Sequence, residues 1–191
     1  MRELNTPDTI LAEYSLQSCQ QPQLLIISGE SGAGKTTACQ LLIRQAREQG
    51  CLPAGWVSPP VYLAGEKIGI DLTDIASGET RRLAWKRERD HAEDGAELTT
   101  RGWQFDPAVV AWGNRILDEL PTGPLLILDE LGPLEFQKQA GFSSGLRLLD
   151  ERQHRAACVV IRTACLTTAL DRWPWARVFR VPVPPSIGGK P

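Results

Sequence analysis

Histidine and cysteine are scarce in this sequence, and their arrangement argues against a transition-metal site. The 191 residues include two histidines and five cysteines. The cysteines form no Cys-x-x-Cys pair, and their number is odd, so neither a zinc ribbon nor a disulfide framework is indicated. We therefore expect reduced thiols, as in a cytoplasmic protein.

Long apolar runs and an excess of positive charge are also missing. No run approaches the roughly 20 apolar residues of a membrane helix, and the first residues lack a secretory signal. The formal net charge is -2, and the densest cationic cluster, residues 81–89, includes an acid at Glu88. Such a cluster is typical of a solvated face. We expect a cytoplasmic protein that binds neither membrane nor nucleic acid, and the sequence leaves a protein partner open.

Length and composition predict a single domain. A chain that is 42% hydrophobic at this length can bury one substantial core. The expected domain is residues 1–191, and residues 183–191 are rich in Pro and Gly. That composition predicts a frayed tail rather than a packed element.

Strand-like and helix-like patterns alternate along the chain. Apolar runs at residues 24–28, 125–128 and 158–161 are typical of strands buried on both faces of a parallel sheet. Apolar residues recur at helical spacing at 35–49 and 107–120. This alternation predicts an α/β fold with three layers, in which a mostly parallel sheet lies between helices.

Two further segments lie between the first and second predicted helices. Residues 61–63 and 68–72 flank a Gly-Glu turn, which predicts a small hairpin beside the sheet. The stretch 77–101 is charged and weakly periodic. We expect it to run over the surface.

A complete phosphate-loop motif joins the first predicted strand to the first predicted helix. The pattern G-x-x-x-x-G-K-[ST] is matched by Gly29, Glu30, Ser31, Gly32, Ala33, Gly34, Lys35 and Thr36, and Thr37 follows. Small residues let backbone N–H groups approach phosphate oxygens, and the helix N-terminus attracts the anion. We expect Lys35 to reach the β- and γ-phosphates and the Thr36 hydroxyl to bind Mg²⁺. The motif therefore predicts binding of a Mg²⁺-nucleoside triphosphate.

A pair of acids ends the predicted strand at 125–128. In a parallel sheet this position faces the crevice over the strand ends, where phosphates and metals bind. Asp129 is expected to orient the hydrated Mg²⁺. Glu130 is placed to polarise a water attacking the γ-phosphorus, so we assign it as the general base.

The motifs together resemble a known family. Over residues 24–166 the chain is similar to the nucleoside-triphosphatase family first described from thermophiles, a P-loop NTPase family that also includes the animal cancer-related nucleoside triphosphatase. The resemblance rests on the phosphate loop, on Gly55-Trp56 with its hairpin, on residues 102–106, and above all on residues 129–135. That heptad, Asp-Glu-Leu-Gly-Pro-Leu-Glu, is similar to the family's D-E-[IL]-G-x-[ML]-E signature.

The resemblance implies a compact fold, Mg²⁺ as the metal and hydrolysis of ATP, GTP and other nucleoside triphosphates with little base selectivity. It also implies a supporting role behind the site for Glu135. A surface carboxylate at a helix start is an equally good interpretation of that residue.

The chain departs from the family at two places. Pro60-Val61-Tyr62 stands where relatives carry Glu-Val-Arg, so an acid and a cation are missing from the hairpin. Relatives often carry His-Arg after the fourth strand, where this chain has Ile161-Arg162. Arg162 is then the candidate for contacting the transferred phosphate, and a solvated arginine is the alternative. Without the hairpin arginine, we expect slow turnover.

Two tryptophans raise the possibility of base stacking. Trp56 and Trp103 lie in family-like segments, and we expect both to pack in the core or at its rim rather than stack on a base.

Two other functions fit the same motifs. A small-molecule or nucleoside kinase would use residues 59–71 as an acceptor pocket and residues 77–101 as a lid. A nucleotide-dependent binding module would need no turnover at all. The Asn-Lys-x-Asp motif of GTPases and the Leu-Ser-Gly-Gly-Gln motif of transporter ATPases are absent from the sequence.

Overall fold

A computed structural model describes residues 22–87, 98–100, 102–121 and 125–181. The strands in these ranges are β1 (Gln23–Ser28), β2 (Pro53–Val57), β3 (Pro60–Leu63), β4 (Glu66–Asp74), β5 (Thr80–Lys86), β6 (Thr99–Thr100), β7 (Trp103–Phe105), β8 (Leu125–Leu131), β9 (Ala156–Ile161) and β10 (Arg177–Arg180). The helices are α1 (Lys35–Glu48), α2 (Pro107–Asp118), α3 (Pro133–Phe136), α4 (Ser143–Glu151) and α5 (Leu166–Arg172).

One sheet holds all of these strands, in the order β10-β1-β9-β8-β2-β4-β5-β7-β6, with β3 on β4. The strands from β10 to β2 are parallel to their neighbours. From β4 outward every pairing is antiparallel. The predicted parallel sheet and hairpin are therefore confirmed, and the antiparallel part is larger than one hairpin.

Helices cover both faces of the parallel strands. Alternate residues of β1 point to opposite faces, as in any strand: Leu25 and Ile27 meet α1, while Leu24 and Ile26 belong to the core under α2, α4 and α5. Each fully buried Leu or Ile stabilises the fold by about 1.5–3 kcal/mol. The predicted three-layer architecture is confirmed, and it places the carboxyl ends of β1, β8 and β9 side by side.

The expected surface excursion at 77–101 is wrong for residues 80–86, which form β5 inside the sheet, and for residues 99–100, which form β6 at its edge. The cations of β5 pair with acids or stack on an aromatic ring. The Arg82 guanidinium lies 2.5 Å from the Asp71 carboxylate of β4, and Arg81 lies 4.3 Å from the ring centre of Trp112. The local charge therefore does not oppose strand formation. Residues 88–97 lie outside the described ranges.

The longest helix in the described ranges has 14 residues, shorter than the roughly 20 that cross a bilayer. No described helix could therefore span a membrane. The tail at 183–191 lies outside the described residues and stays a prediction, as does the single-domain boundary at 1–191.

Candidate nucleotide site

The phosphate loop links the end of β1 to the start of α1. Gly32 and Gly34 have φ values of 81° and 97°, a left-handed conformation that strains residues with a Cβ. Gly34 is the N-cap of α1, and no side chain caps that end of the helix. The N–H groups of the first helical turn therefore lack a side-chain acceptor and are available to an anion.

Lys35 organises this loop from inside. Its Nζ donates hydrogen bonds to the carbonyl oxygens of Gly29 and Glu30, both at 2.8 Å. These contacts hold the ammonium group under the loop, while Ser31 and Gly32 are exposed. The cation lies where β- and γ-phosphate oxygens are expected to bind.

Asp129 lies on β8 and connects three elements. It is 2% exposed and accepts hydrogen bonds from the Thr36 side chain of α1 and, at 3.2 Å, from the Ser58 N–H after β2. Burial raises the pKa of Asp129 to about 6, although both hydrogen bonds act in the opposite direction. The structure thus brings together the two predicted Mg²⁺ ligands.

The Thr36 hydroxyl and the Asp129 carboxylate fit Mg²⁺. Both supply oxygen, which this hard cation prefers, and Mg²⁺ commonly takes few protein ligands while waters and substrate phosphates complete its shell. Among the residues the structure describes, no group of three or more His, Cys, Asp or Glu could hold a metal. A site with two protein oxygens therefore matches Mg²⁺ bound together with a nucleotide.

We expect Asp129→Asn to stabilise the metal-free protein at pH 8. The raised folded pKa means that the carboxyl favours folding below its unfolded pKa of 3.8 and loses that effect as pH rises through about 6. The shift corresponds to about 3 kcal/mol against the charged form. Denaturant unfolding of wild type and variant at pH 8 and pH 4 measures it, and the gain should vanish at pH 4.

The same variant should lose the additional stability that Mg²⁺ gives the nucleotide complex, because an amide is a poorer Mg²⁺ ligand than a carboxylate. A variant that is less stable than wild type at pH 8 would show that the Thr36 and Ser58 hydrogen bonds outweigh the burial of charge.

Glu130 and Arg162 form an ion pair at the ends of two adjacent parallel strands. The pair joins Arg162 Nε, directly after β9, to Glu130 Oε1 on β8. The Glu130 side chain is 26% exposed, so water can reach it. The arginine stem runs beside Gly132, where an added Cβ would lie 3.6 Å from Arg162 Cδ. Arg162 therefore contacts the predicted base directly.

Glu135 is buried and binds two backbone N–H groups, so its interpretation as a surface carboxylate is wrong. The residue is 5% exposed. Its carboxylate accepts hydrogen bonds from the N–H of Gly132 at 2.7 Å and of Phe142 at 2.9 Å, and burial raises its pKa. A Cβ at Gly141 would lie 2.1 Å from Glu135 Oε1. These two hydrogen bonds restrain the turn that follows Glu130.

The two candidate tryptophans pack against protein. Trp56 is 0% exposed, and its ring centre lies 4.5 Å from that of Phe142. Trp103 is half-buried at the rim of the same core. Lys67 Nζ lies 4.9 Å from the Trp103 ring centre. The packing interpretation is confirmed for Trp56, which is closed to a base.

A family model described as NTPase matches residues 24–181. This chain belongs to the NTPase family. Its phosphate loop and the acids on β8 lie inside the matched range, so the predicted P-loop resemblance is confirmed.

Relatives of this chain include nucleoside-triphosphatases named THEP1. The protein of Caldivirga maquilingensis is 26% identical over 60% of this chain and 62% of its own length. The chain thus spans less than two thirds of that relative. The protein of Methanopyrus kandleri is 27% identical over 73% of each chain.

The fold of this chain is also found in a solved structure. The solution structure of a human cancer-related nucleoside triphosphatase matches with a TM-score of 0.64 and 17% identity, covering 84% of this chain and 89% of that one. At this identity the match supports the α/β P-loop architecture.

Lys67 is a residue near the site that the sequence interpretation missed. It interacts electrostatically with Glu130, Arg162, Lys35 and Asp129. The predicted Gly-Glu turn is wrong by one residue, because the turn lies at Ala64-Gly65 and pairs Leu63 with Glu66 and Tyr62 with Lys67. Counting outward from Ala64-Gly65 places a lysine opposite Tyr62, the position of the missing arginine.

Proposed function

We propose that this NTPase hydrolyses Mg²⁺-bound nucleoside triphosphates to diphosphate and phosphate, slowly and with broad base specificity. The observation that carries the proposal is the direct contact between the Thr36 side chain and Asp129, with Glu130 next along β8. This contact joins the phosphate loop to the acids. The names of the THEP1 relatives support the same activity.

The phosphate loop accounts for the binding of the nucleotide. The free N–H groups at the start of α1 and the Lys35 ammonium meet the β- and γ-phosphate oxygens. Thr36 and Asp129 hold Mg²⁺, which when bound neutralises charge on those phosphates. Both groups are already in place before nucleotide arrives, so little ordering entropy is lost on binding.

Hydrolysis requires a base beside the γ-phosphate. Glu130 projects from the strand that carries Asp129, and it accepts a proton from the attacking water. Arg162 orients the carboxylate through their ion pair. The Glu135 hydrogen bond to Gly132 N–H, 2.7 Å long, restrains the next turn of the chain. Glu130 is therefore restrained by the ion pair with Arg162 and by the fixed turn that follows it.

We expect slow turnover because few positively charged side chains are available to the transferred phosphoryl group. In the hairpin, the exposed Pro60 and Tyr62 replace the acid and the arginine expected there. An arginine on the transferred phosphoryl group is worth about 10³–10⁵ in rate. Arg162 is engaged with Glu130 in this structure. The negative charge that develops on the transferred group is therefore stabilised less than in a site that has an arginine there.

Water is the proposed acceptor, in preference to a second substrate. The kinase alternative used residues 77–101 as a lid, whereas residues 80–86 are fixed in β5 between β4 and β7. A cytoplasmic location is part of the proposal. Cys39 and Cys158 contact each other as free thiols, a state that reducing compartments preserve.

We expect Arg162→Ala to lower kcat by about 10- to 100-fold while KM changes less than about threefold, because the variant leaves Glu130 unoriented without touching the phosphate loop. Steady-state phosphate release measures both constants. Arg147→Ala is the matched control, since it removes an exposed pairing to Asp118 on the surface. Wild-type kcat in the Arg162 variant would exclude it from catalysis.

Phosphate release from ATP, GTP, CTP and UTP, each with and without Mg²⁺, tests the function as a whole. The proposal predicts slow release from all four without an added acceptor, and loss of release when Mg²⁺ is chelated. Release that depends on an added nucleoside, or that persists without any divalent cation, would overturn it.

A further inference from the structure

Lys67 occupies an unusual place among the cations of the antiparallel strands. It lies on β4, is half-buried, and has its Nζ 4.9 Å from the Trp103 ring centre. Other cations on these strands have acidic partners: Arg81 pairs with Glu79, Arg82 with Asp71 and Lys86 with Glu66. Among the described residues, no such ion pair within 4 Å is found for Lys67.

The groups around Lys67 belong to the nucleotide site. Its electrostatic neighbours are Glu130, Arg162, Lys35 and Asp129. The hairpin that carries Lys67 begins at Pro60, two residues after Ser58, whose N–H donates a hydrogen bond to Asp129 at 3.2 Å. The hairpin therefore contributes one side chain to the site.

The surroundings of Lys67 disfavour its charged form in the nucleotide-free protein. Burial lowers the pKa of Lys67, and the positive charges of Arg162 and Lys35 lower it further, while Glu130 and Asp129 act in the opposite direction. Glu130 is already paired with Arg162. A triphosphate brings several negative charges to this cluster of cations, which favours the charged lysine.

We propose that Lys67 contacts the γ-phosphate of the bound nucleotide and supplies a positive charge to the site from β4. The inference rests on the proposed function. In this role Lys67 transfers no proton and acts through its positive charge. Trp103 holds its position: the aromatic face attracts the ammonium and restricts the flexible stem. A lysine offers a point charge in place of an arginine's two-pronged contact, which agrees with slow turnover.

This role of Lys67 would make the protein bind triphosphates more tightly than diphosphates. A group that meets only the γ-phosphate adds affinity for the triphosphate and none for the diphosphate. It also stabilises the charge that spreads over the γ-phosphoryl oxygens during transfer. A lysine that merely packs on Trp103 would do neither.

The test compares Lys67→Met, Lys67→Arg and the control Lys86→Met. Methionine keeps a stem that can pack on Trp103 and removes the charge. Lys86 lies on the neighbouring strand, where it is 3.5 Å from Glu66. Affinities for Mg²⁺-ATP and Mg²⁺-ADP come from competition with a fluorescent nucleotide, and kcat comes from phosphate release.

Lys67→Met should lower the ATP-to-ADP affinity ratio by about tenfold and kcat by about 100-fold, with ADP affinity within about threefold of wild type. Lys67→Arg should recover most of kcat, and Lys86→Met should match wild type. An unchanged ATP-to-ADP ratio in a folded Lys67→Met protein would overturn the inference. If that variant does not fold, Lys67→Gln decides by the same two outcomes.

A different result would contradict the proposed function. Wild-type protein that binds Mg²⁺-ATP and releases no phosphate would contradict hydrolysis. The ATP-to-ADP affinity ratio would still decide whether Lys67 meets the γ-phosphate, because that measurement requires no turnover.

Discussion

Glu130→Gln is expected to bind Mg²⁺-nucleotide with nearly wild-type affinity and to lose about 10²- to 10⁴-fold in kcat. The amide keeps the size of the side chain and can still pair with Arg162 through its oxygen, but it cannot accept a proton from water. Affinity should persist because Lys35, Thr36 and Asp129 are unchanged. Nucleotide competition and phosphate release on the same preparation separate the two effects.

Glu119→Gln provides the matched control, because it makes the same chemical change at the carboxyl end of α2, away from the nucleotide site. It should leave kcat unaltered. Wild-type turnover in the Glu130 variant would assign the base to another residue and would favour a kinase or a binding module over a hydrolase.

Lys35→Ala is expected to abolish productive triphosphate binding. The variant removes the ammonium that lies under the phosphate loop and also its two hydrogen bonds to Gly29 and Glu30. Charge-assisted contacts to phosphate are about twice as strong as neutral ones, so we expect a loss of at least about 100-fold in ATP affinity. Nucleotide titration followed by fluorescence measures it.

The fold should survive this change, because the buried contacts of α1 come from Ala38, Cys39 and Leu42 on its core face. Circular dichroism and thermal unfolding check that point. Arg44→Ala, which removes an exposed cation from the same helix, should bind ATP as wild type does. A folded Lys35 variant that binds and hydrolyses normally would contradict the assignment of the phosphate loop.

The parallel half of the fold and the phosphate loop could be predicted because their signals are local. A strand buried on both faces appears as a continuous apolar run, as at residues 24–28. The loop motif states both its chemistry and its position between strand and helix. The same logic placed Asp129 and Glu130 at the edge of the sheet where phosphates bind.

The rest depended on contacts between distant segments. β5 was not predicted because the charges of Arg81 and Arg82 are typical of a surface segment. The partners of these arginines, Trp112 and Asp71, lie elsewhere in the chain. The ion pair between Glu130 and Arg162 joins residues 32 positions apart. Glu135 was ambiguous because burial of a carboxylate depends on backbone partners that local sequence does not identify.

Single-turnover hydrolysis in ¹⁸O-labelled water tests the central claim most directly. Enzyme in excess over ATP, with Mg²⁺ and no other acceptor, should release phosphate that carries one ¹⁸O atom. The rate should exceed that of identically purified Glu130→Gln by at least about 100-fold, which excludes a contaminating phosphatase. Bound ATP that keeps its γ-phosphate, or equal rates in the two proteins, would contradict the account.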